Sequence, residues 1–382
     1  MILPAFATAD IKMGVILGFT GPIESLTPDM GGSAEVAFKE ASDSGLLLGG
    51  QKIVSVRADS TCIDNAAATA AAERLVTAEK VAGIMGADCS GVTTAVANNV
   101  AVPNGVPMIS PSATSPALTT IADNGYFFRT APSDARQGQV LASITVERGI
   151  TSVAVTYVNS DYGKGLSDSF GKAFQALGGT VTISVPHETG KADYSAEVAS
   201  MDSAGGDAMA VFGYVNQGGP GIMQASLDSG SFDKFILADG MYGDDLLTNV
   251  EGDLTGTFGT VPGTDSKGAA TYADMANAAG LKGSGPFTGE SYDAAALLIL
   301  AMQSAGSTDG AAIASNVMGV ANAPGEKIMP GELAKGLRIL ANGGAVDYVG
   351  ATNVELTGVG EASGSYREFE IRNKAFQTVR FR

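Results

Sequence analysis

Short apolar runs alternate with longer helical stretches from the start of the chain, and no other feature limits its fold as much. Ile11-Lys12-Met13-Gly14-Val15-Ile16-Leu17 reads as a buried strand closed by Gly18. Residues 31–44 place Ala34, Val36, Ala37, Phe38 and Ala41 at helical spacing and stop at Gly45. A second strand covers 52–58, an alanine-rich helix opened by Asp64-Asn65 runs to Lys80, and a third strand covers 81–85. Helix 92–102 ends at Pro103, and a fourth strand lies at 106–110. Strands that alternate with helices of this length predict an α/β fold with a doubly wound parallel sheet.

The pattern restarts near Phe128-Arg129-Thr130-Ala131-Pro132-Ser133. Helix 134–148 and the strongly β run 152–158 are followed by helix 163–177, strand 180–185, helix 194–204, strand 208–213, helix 218–229 and strand 234–238. After 258–263 the chain turns helical, near 267–280, 288–305, 310–319 and 331–341, with no strands expected between these helices. Their apolar faces need a sheet to cover, so they are expected to return to the first unit. The alternating runs 366–371 and 376–381 predict an antiparallel hairpin on the second. The expected lobes are therefore 10–130 with 263–342, and 131–262 with 343–382. Two such lobes, joined by two or three crossing segments, enclose a cleft at the carboxyl ends of their strands, where ligands of open α/β sheets bind. Ile109-Ser110-Pro111-Ser112-Ala113-Thr114-Ser115-Pro116 lies at that edge, rich in hydroxyls and free backbone N–H groups.

Composition removes several function classes. A net charge of −17 argues against nucleic acid and anionic membrane as partners, both of which need basic patches. His187 is the only histidine and follows a β-rich run, so it is expected at a strand end; a His-based metal site or catalytic triad has no material. The sequence shows no G-x-S-x-G elbow, no G-x-G-x-x-G at a strand–helix turn, no phosphate loop and no EF-hand loop. No metal, cofactor or enzymatic activity is expected.

Cys62 and Cys89 are not in a CxxC pattern and suit either one structural disulfide or two inert thiols. Met1 to Ala9 is apolar and ends in Ala7-Thr8-Ala9, the small-x-small pattern of a signal-peptidase site. Residues 1–9 thus read as the remnant of a cleaved signal, the mature protein as exported, and the pair Cys62–Cys89 as free to oxidise in the compartment it reaches. No run approaches the ~20 apolar residues of a membrane span.

Several features in register carry a resemblance. They are Ile11-Lys12 through Thr20-Gly21-Pro22, Asp59-Ser60-Thr61-Cys62, Cys89-Ser90, Ser110-Pro111-Ser112-Ala113-Thr114, Asp161-Tyr162-Gly163-Lys164-Gly165, and Tyr214. From Ile11 onward the chain resembles the periplasmic leucine/isoleucine/valine-binding proteins, the substrate-binding components of branched-chain amino-acid ABC transporters. The resemblance implies a type I periplasmic binding protein fold, two doubly wound parallel-sheet lobes on a multi-strand hinge. It implies capture of an amino acid by hinge closure, delivery to a membrane permease, no cofactor, and a monomer. It places the ligand carboxylate at Ser90 and at Ser112, Ala113 and Thr114, and the ammonium at Asp239, where enteric members carry Glu. Tyr162 and Tyr214 match the family's second-lobe aromatic contacts. Leu26 stands where the family has an aromatic wall, so the side-chain pocket is expected to be aliphatic. The alternatives are a periplasmic sensor of the same fold, or the same role with another small zwitterion, an amide or an aromatic acid.

Overall fold

The computed structural model describes residues 10–382, and the expected signal remnant at 1–9 lies outside them. The first sheet is β2-β1-β3-β4-β5, all parallel, from β1 (Ile11–Leu17), β2 (Ile53–Asp59), β3 (Ile84–Gly86), β4 (Met108–Ser110) and β5 (Phe127–Arg129). Every residue of β1 except Lys12 is buried, as expected of a central parallel strand covered on both faces.

The second sheet uses β6 (Ser152–Val158), β7 (Thr180–His187), β8 (Ala208–Phe212), β9 (Phe235–Leu237) and β10 (Phe258–Pro262). Strands β11 (Glu326–Ile328) and β12 (Val346–Tyr348) form a separate parallel pair. Strands β13 (Tyr366–Arg372) and β14 (Ala375–Phe381) complete the second sheet in the order β14-β13-β10-β9-β8-β6-β7. In it β13 runs antiparallel to β10 and β14 antiparallel to β13, and the remaining pairs are parallel.

Helix Thr288–Ala305 organises the first lobe. Nearly all of its residues are buried, and it shares one core with β1, helix Thr27–Ser44 and helix Gly310–Ala321. A helix apolar all round belongs inside a core. Its Asp293 is buried yet fully satisfied, accepting from Tyr348 Oη (2.7 Å), Ala351 N (2.8 Å), Thr352 N (2.8 Å) and Thr352 Oγ1 (2.7 Å).

These bonds bear on two expectations. The last helices were expected to have no strands between them, and β11 and β12 stand there. Each spans three residues, too few to show a period. Residues 343–382 were expected in the second lobe, but Val346, Tyr348, Ala351, Val354, Leu356 and Ala362 are part of the first lobe's core. Arg129 N donates to Gly360 O and Ala362 N to Arg129 O, both at 3.0 Å, so this segment runs along the β5 edge. The chain crosses between lobes after β5, after β10 and just before β13. The last two crossings are bonded together, Gly263 N to Ser365 O at 3.0 Å and Ser365 Oγ to Gly263 O at 2.9 Å.

Cys62 and Cys89 form a disulfide that ties the turn after β2 to the turn after β3. No helix among the described residues is long and apolar enough to cross a membrane.

His187 ends β7, buried, with Nδ1 at 2.9 Å from Thr156 Oγ1 and Nε2 without a partner among the described residues. Burial pushes its pKa down to about 4. The unfolded chain therefore takes up this proton first, near pH 6.5. Stability from this group is complete above that pH and is lost as pH falls towards 4, by at most about 3 kcal/mol. Urea titrations from pH 7 to 4 should show this slope flattened in His187→Gln.

Candidate functional site

A cavity with about 350 Å³ of empty space, part of it continuous with solvent, lies between the lobes. Leu26, Ser90, Ser112, Tyr162, Tyr214 and Asp239 all line it. The first lobe supplies the turns that leave β3 and β4. Ser90 is the first residue of a helix that runs from Ser90 through a π turn to Ala101, with Cys89, not Ser90, at the N-cap. Unpaired N–H groups and the dipole at such an end favour an anion.

Hydrogen bonds lock the two turns together. Ser115 N donates to Ser90 Oγ at 3.1 Å, and Ser112 Oγ donates to Asp88 O at 3.2 Å. Asp88, buried and also lining the cavity, accepts from Ser60 Oγ at 2.8 Å and from Gly18 N. It thereby joins the ends of β1, β2 and β3.

The structure does not bring Ala113 and Thr114 to the cavity wall. Both are fully buried behind it. Ala113 N is taken by Ser110 Oγ at 3.0 Å, and Thr114 O accepts from Asp134 N at 2.8 Å. The reason lies beneath them. Arg129, 1% exposed, donates to Ala113 O (3.0 Å), Ser115 O (2.9 Å), Thr119 Oγ1 (2.9 Å) and the Glu361 carboxylate (2.5 Å), drawing the loop inward.

The second lobe supplies the acidic side. Asp239 follows β9 and is 3% exposed. Tyr162 Oη donates to Asp239 Oδ1 at 3.2 Å and accepts from Gly240 N at 3.2 Å. A side chain at 240 would not fit: its Cβ would meet Gly213 O at 2.5 Å and Tyr162 Oη at 2.9 Å. Tyr162 in turn stacks on Tyr214, with centroids 5.4 Å apart and planes at 19°. Burial pushes Asp239 up to about 6. It pushes both tyrosines up as well, beyond any physiological titration.

Sequence reasoning missed Asp134. It opens helix Asp134–Glu147 after the N-cap Ser133 and so looks like an ordinary first-turn acid. It is fully buried, and neither carboxylate oxygen has a hydrogen bond among the described residues. Thr114 Oγ1 lies beside it but beyond hydrogen-bond geometry. Burial first, and repulsion from Asp239 second, raise its pKa well above the usual carboxylate range.

The remaining wall is apolar. Ile23, Leu26 and Met30 face it from the first lobe, and Phe287, which no sequence signal marked, adds the aromatic ring the 23–30 loop lacks. The lobes meet across the cleft mouth at Asn216. Its N donates to Pro22 O at 3.0 Å, and its Oδ1 accepts from Ser25 N (3.1 Å) and Ser25 Oγ (2.9 Å).

Comparison with known proteins follows from this geometry. Residues 10–333 match a family described as periplasmic binding protein. Leu/Ile/Val-binding protein homolog 1 of Brucella abortus is 30% identical over 79% of this chain and 81% of its own length. The branched-chain amino-acid transporter substrate-binding protein LivJ of Streptococcus pneumoniae, solved with isoleucine, has a TM-score of 0.79 at 22% identity, covering 98% of this chain and 99% of its own. An ABC-transporter solute-binding protein of R. palustris, solved with 4-hydroxybenzoate, has a TM-score of 0.77 at 19% identity, covering 98% and 97%. The two structural likenesses are of fold. With the family match across most of its length and the cavity between two wound lobes, the chain belongs to the periplasmic binding protein family, the extracytoplasmic substrate-binding components of ABC transporters, and has their type I fold.

Proposed function

We propose that the chain captures a small amino acid with an aliphatic side chain between its lobes, in the periplasm after export, and delivers it as a monomer to an ABC permease. The carrying observation is the polarity of the cavity. Ser90, at a helix N-terminus with its Oγ only accepting, from Ser115 N, offers a donor to a carboxylate on the side it shares with Ser112, and buried Asp239 offers an acceptor to an ammonium on the other. A zwitterion matches both ends, and Ile23, Leu26, Met30 and Phe287 match an apolar side chain. Tyr162 and Tyr214 orient Asp239 and cover the ligand. Contacts made with both lobes stabilise the closed form over the open one.

A second reading, an aromatic acid, draws on the R. palustris relative solved with 4-hydroxybenzoate and on the aromatic rings at the cavity. It leaves Asp239 buried with no cation, which is costly.

Isothermal titration with leucine, isoleucine, valine, alanine and 4-hydroxybenzoate separates the two. An aliphatic amino acid is expected to bind near micromolar Kd, about −8 kcal/mol. Heat with 4-hydroxybenzoate alone would transfer the site to the second reading, and heat with none would overturn both. Asp239→Asn should weaken the amino acid by about 1.5–3 kcal/mol, roughly 10- to 150-fold, the range for a hydrogen bond to a charged group. Unchanged affinity would remove Asp239 from the site.

A further inference from the structure

We infer that Gly165 is the point at which the two lobes close on each other, a positioning residue for ligand affinity that does not itself line the cavity. This rests on the closure part of the reading above, whichever ligand is held.

The run Asp161-Tyr162-Gly163-Lys164-Gly165 opens helix Asp161–Ala176 of the second lobe. Glycine is the least favourable residue inside a helix after proline, so both glycines need a reason from packing. Gly163 has one within its own lobe, where a Cβ would meet Val158 O at 2.1 Å. Gly165 has none there. Its Cβ would meet Pro116 Cδ at 2.7 Å, Ser115 Oγ at 3.2 Å and Pro116 Cγ at 3.7 Å, and these three nearest atoms among the described residues all belong to the first lobe. The shortest of these distances lies far inside the roughly 3.5–4.0 Å at which carbon atoms normally meet. In the same seam, Thr94 Oγ1 of the first lobe lies 3.5 Å from Asp161 Oδ2.

The first-lobe side of the seam is held firmly. Pro116 Cδ sits in a ring closed on the backbone nitrogen, so no rotamer carries it away. The turn before it is tied by Arg129 to the carbonyls of Ala113 (3.0 Å) and Ser115 (2.9 Å), and by Ser115 N to Ser90 Oγ (3.1 Å). A side chain at 165 is therefore accommodated by moving the lobes apart. Gly165 lies three residues beyond Tyr162, and Ser115 is bonded to Ser90; Tyr162 and Ser90 both line the cavity, while Gly165, Ser115 and Pro116 do not. The seam thus sets the separation between the serine wall and the tyrosine wall. In open lobes position 165 is uncovered and a Cβ costs nothing, so the penalty falls on the closed form alone and appears as lost affinity.

The test titrates leucine and 4-hydroxybenzoate into the intact wild type, Gly165→Ala and Gly171→Ala. The radius of gyration is read by small-angle X-ray scattering with and without saturating ligand, and the urea midpoint without ligand. Gly165→Ala should raise Kd for whichever ligand binds by about 5- to 150-fold, the range for a group forced into filled space. At saturation it should contract less than the wild type. Its urea midpoint should hold or rise, because alanine favours the helix. A merely structural role would lower midpoint and affinity together. Gly171→Ala is the control: in the same helix, its Cβ would make an ordinary contact with Val181 Cγ2 of its own lobe at 3.6 Å, so the midpoint should hold or rise with Kd unchanged. Pro116→Ala removes the ring atoms that the new Cβ meets, and adding it to Gly165→Ala should return most of the lost affinity. Unchanged Kd and full contraction in Gly165→Ala overturn the inference and leave the closure reading intact. Failure of that variant to fold also overturns it, since the clash would then lie within the second lobe. A wild type that binds neither ligand, or binds one without contracting, overturns the closure reading and the inference with it.

Discussion

Arg129→Met is expected to cost about 3–5 kcal/mol of folding stability, the range for breaking a buried ion pair by removing one partner. The side chain is 1% exposed and serves four acceptors: the carbonyls of Ala113 and Ser115, the Thr119 hydroxyl and the Glu361 carboxylate. Methionine fills the volume but removes the guanidinium donor from all four, leaving Glu361 only its bond from Thr119 Oγ1 and Ser115 O only its bond from Leu118 N. Urea denaturation followed by circular dichroism reads the loss. Ligand affinity should fall with it, because the 112–115 turn bonds directly to Ser90. Glu361 is 17% exposed on its side chain and can regain water, so adding Glu361→Gln to Arg129→Met should cost far less than Glu361→Gln does alone. A loss below about 1 kcal/mol would mean that the turn holds its shape without the guanidinium.

Removing the Cys62–Cys89 bond should cost about 3–4 kcal/mol, the loop-closure value for residues 27 apart in sequence. The bond also has a local effect. Cys89 is the N-cap of the helix that presents Ser90, and it lines the cavity. Cys62→Ser/Cys89→Ser should therefore lose both midpoint in urea and affinity for its ligand. Wild-type protein in dithiothreitol should match the double variant. A variant as stable as the oxidised protein would show that the turns after β2 and β3 are held by other contacts, such as the bond from Ser60 to Asp88.

Much of this was legible in the sequence, for a physical reason. Parallel strands covered on both faces must be short apolar runs, so β1 and β6 stand out without any alignment. The residues that reach the cavity from turns after strands, Ser90, Ser112 and Asp239, were legible because an α/β sheet concentrates its ligand contacts there. What escaped did so because local pattern carries no long-range information. Asp134 has the signature of a helix-start acid, and only its complete burial, with both carboxylate oxygens unbonded among the described residues, sets it apart. Phe287 is brought to Leu26 by tertiary packing alone. The 346–362 segment binds the first lobe through Asp293 and the β5 edge, contacts that leave no periodicity. Ala113 and Thr114 belong to the same turn as Ser112, but the pull of Arg129 on the Ala113 carbonyl turns that part of the loop from the wall.

Asn216 gives the cleft mouth a property that grip on the cargo alone would not. Its backbone N–H and side-chain oxygen bridge to Pro22 and Ser25, which sit on the opposite half. Swinging the halves apart strips all of these bridges in one motion. If the halves close on a guest as proposed, its dwell time would depend on the rim as well as on the interior, and a partner that drew Asn216 aside would loosen the closed form without touching the guest.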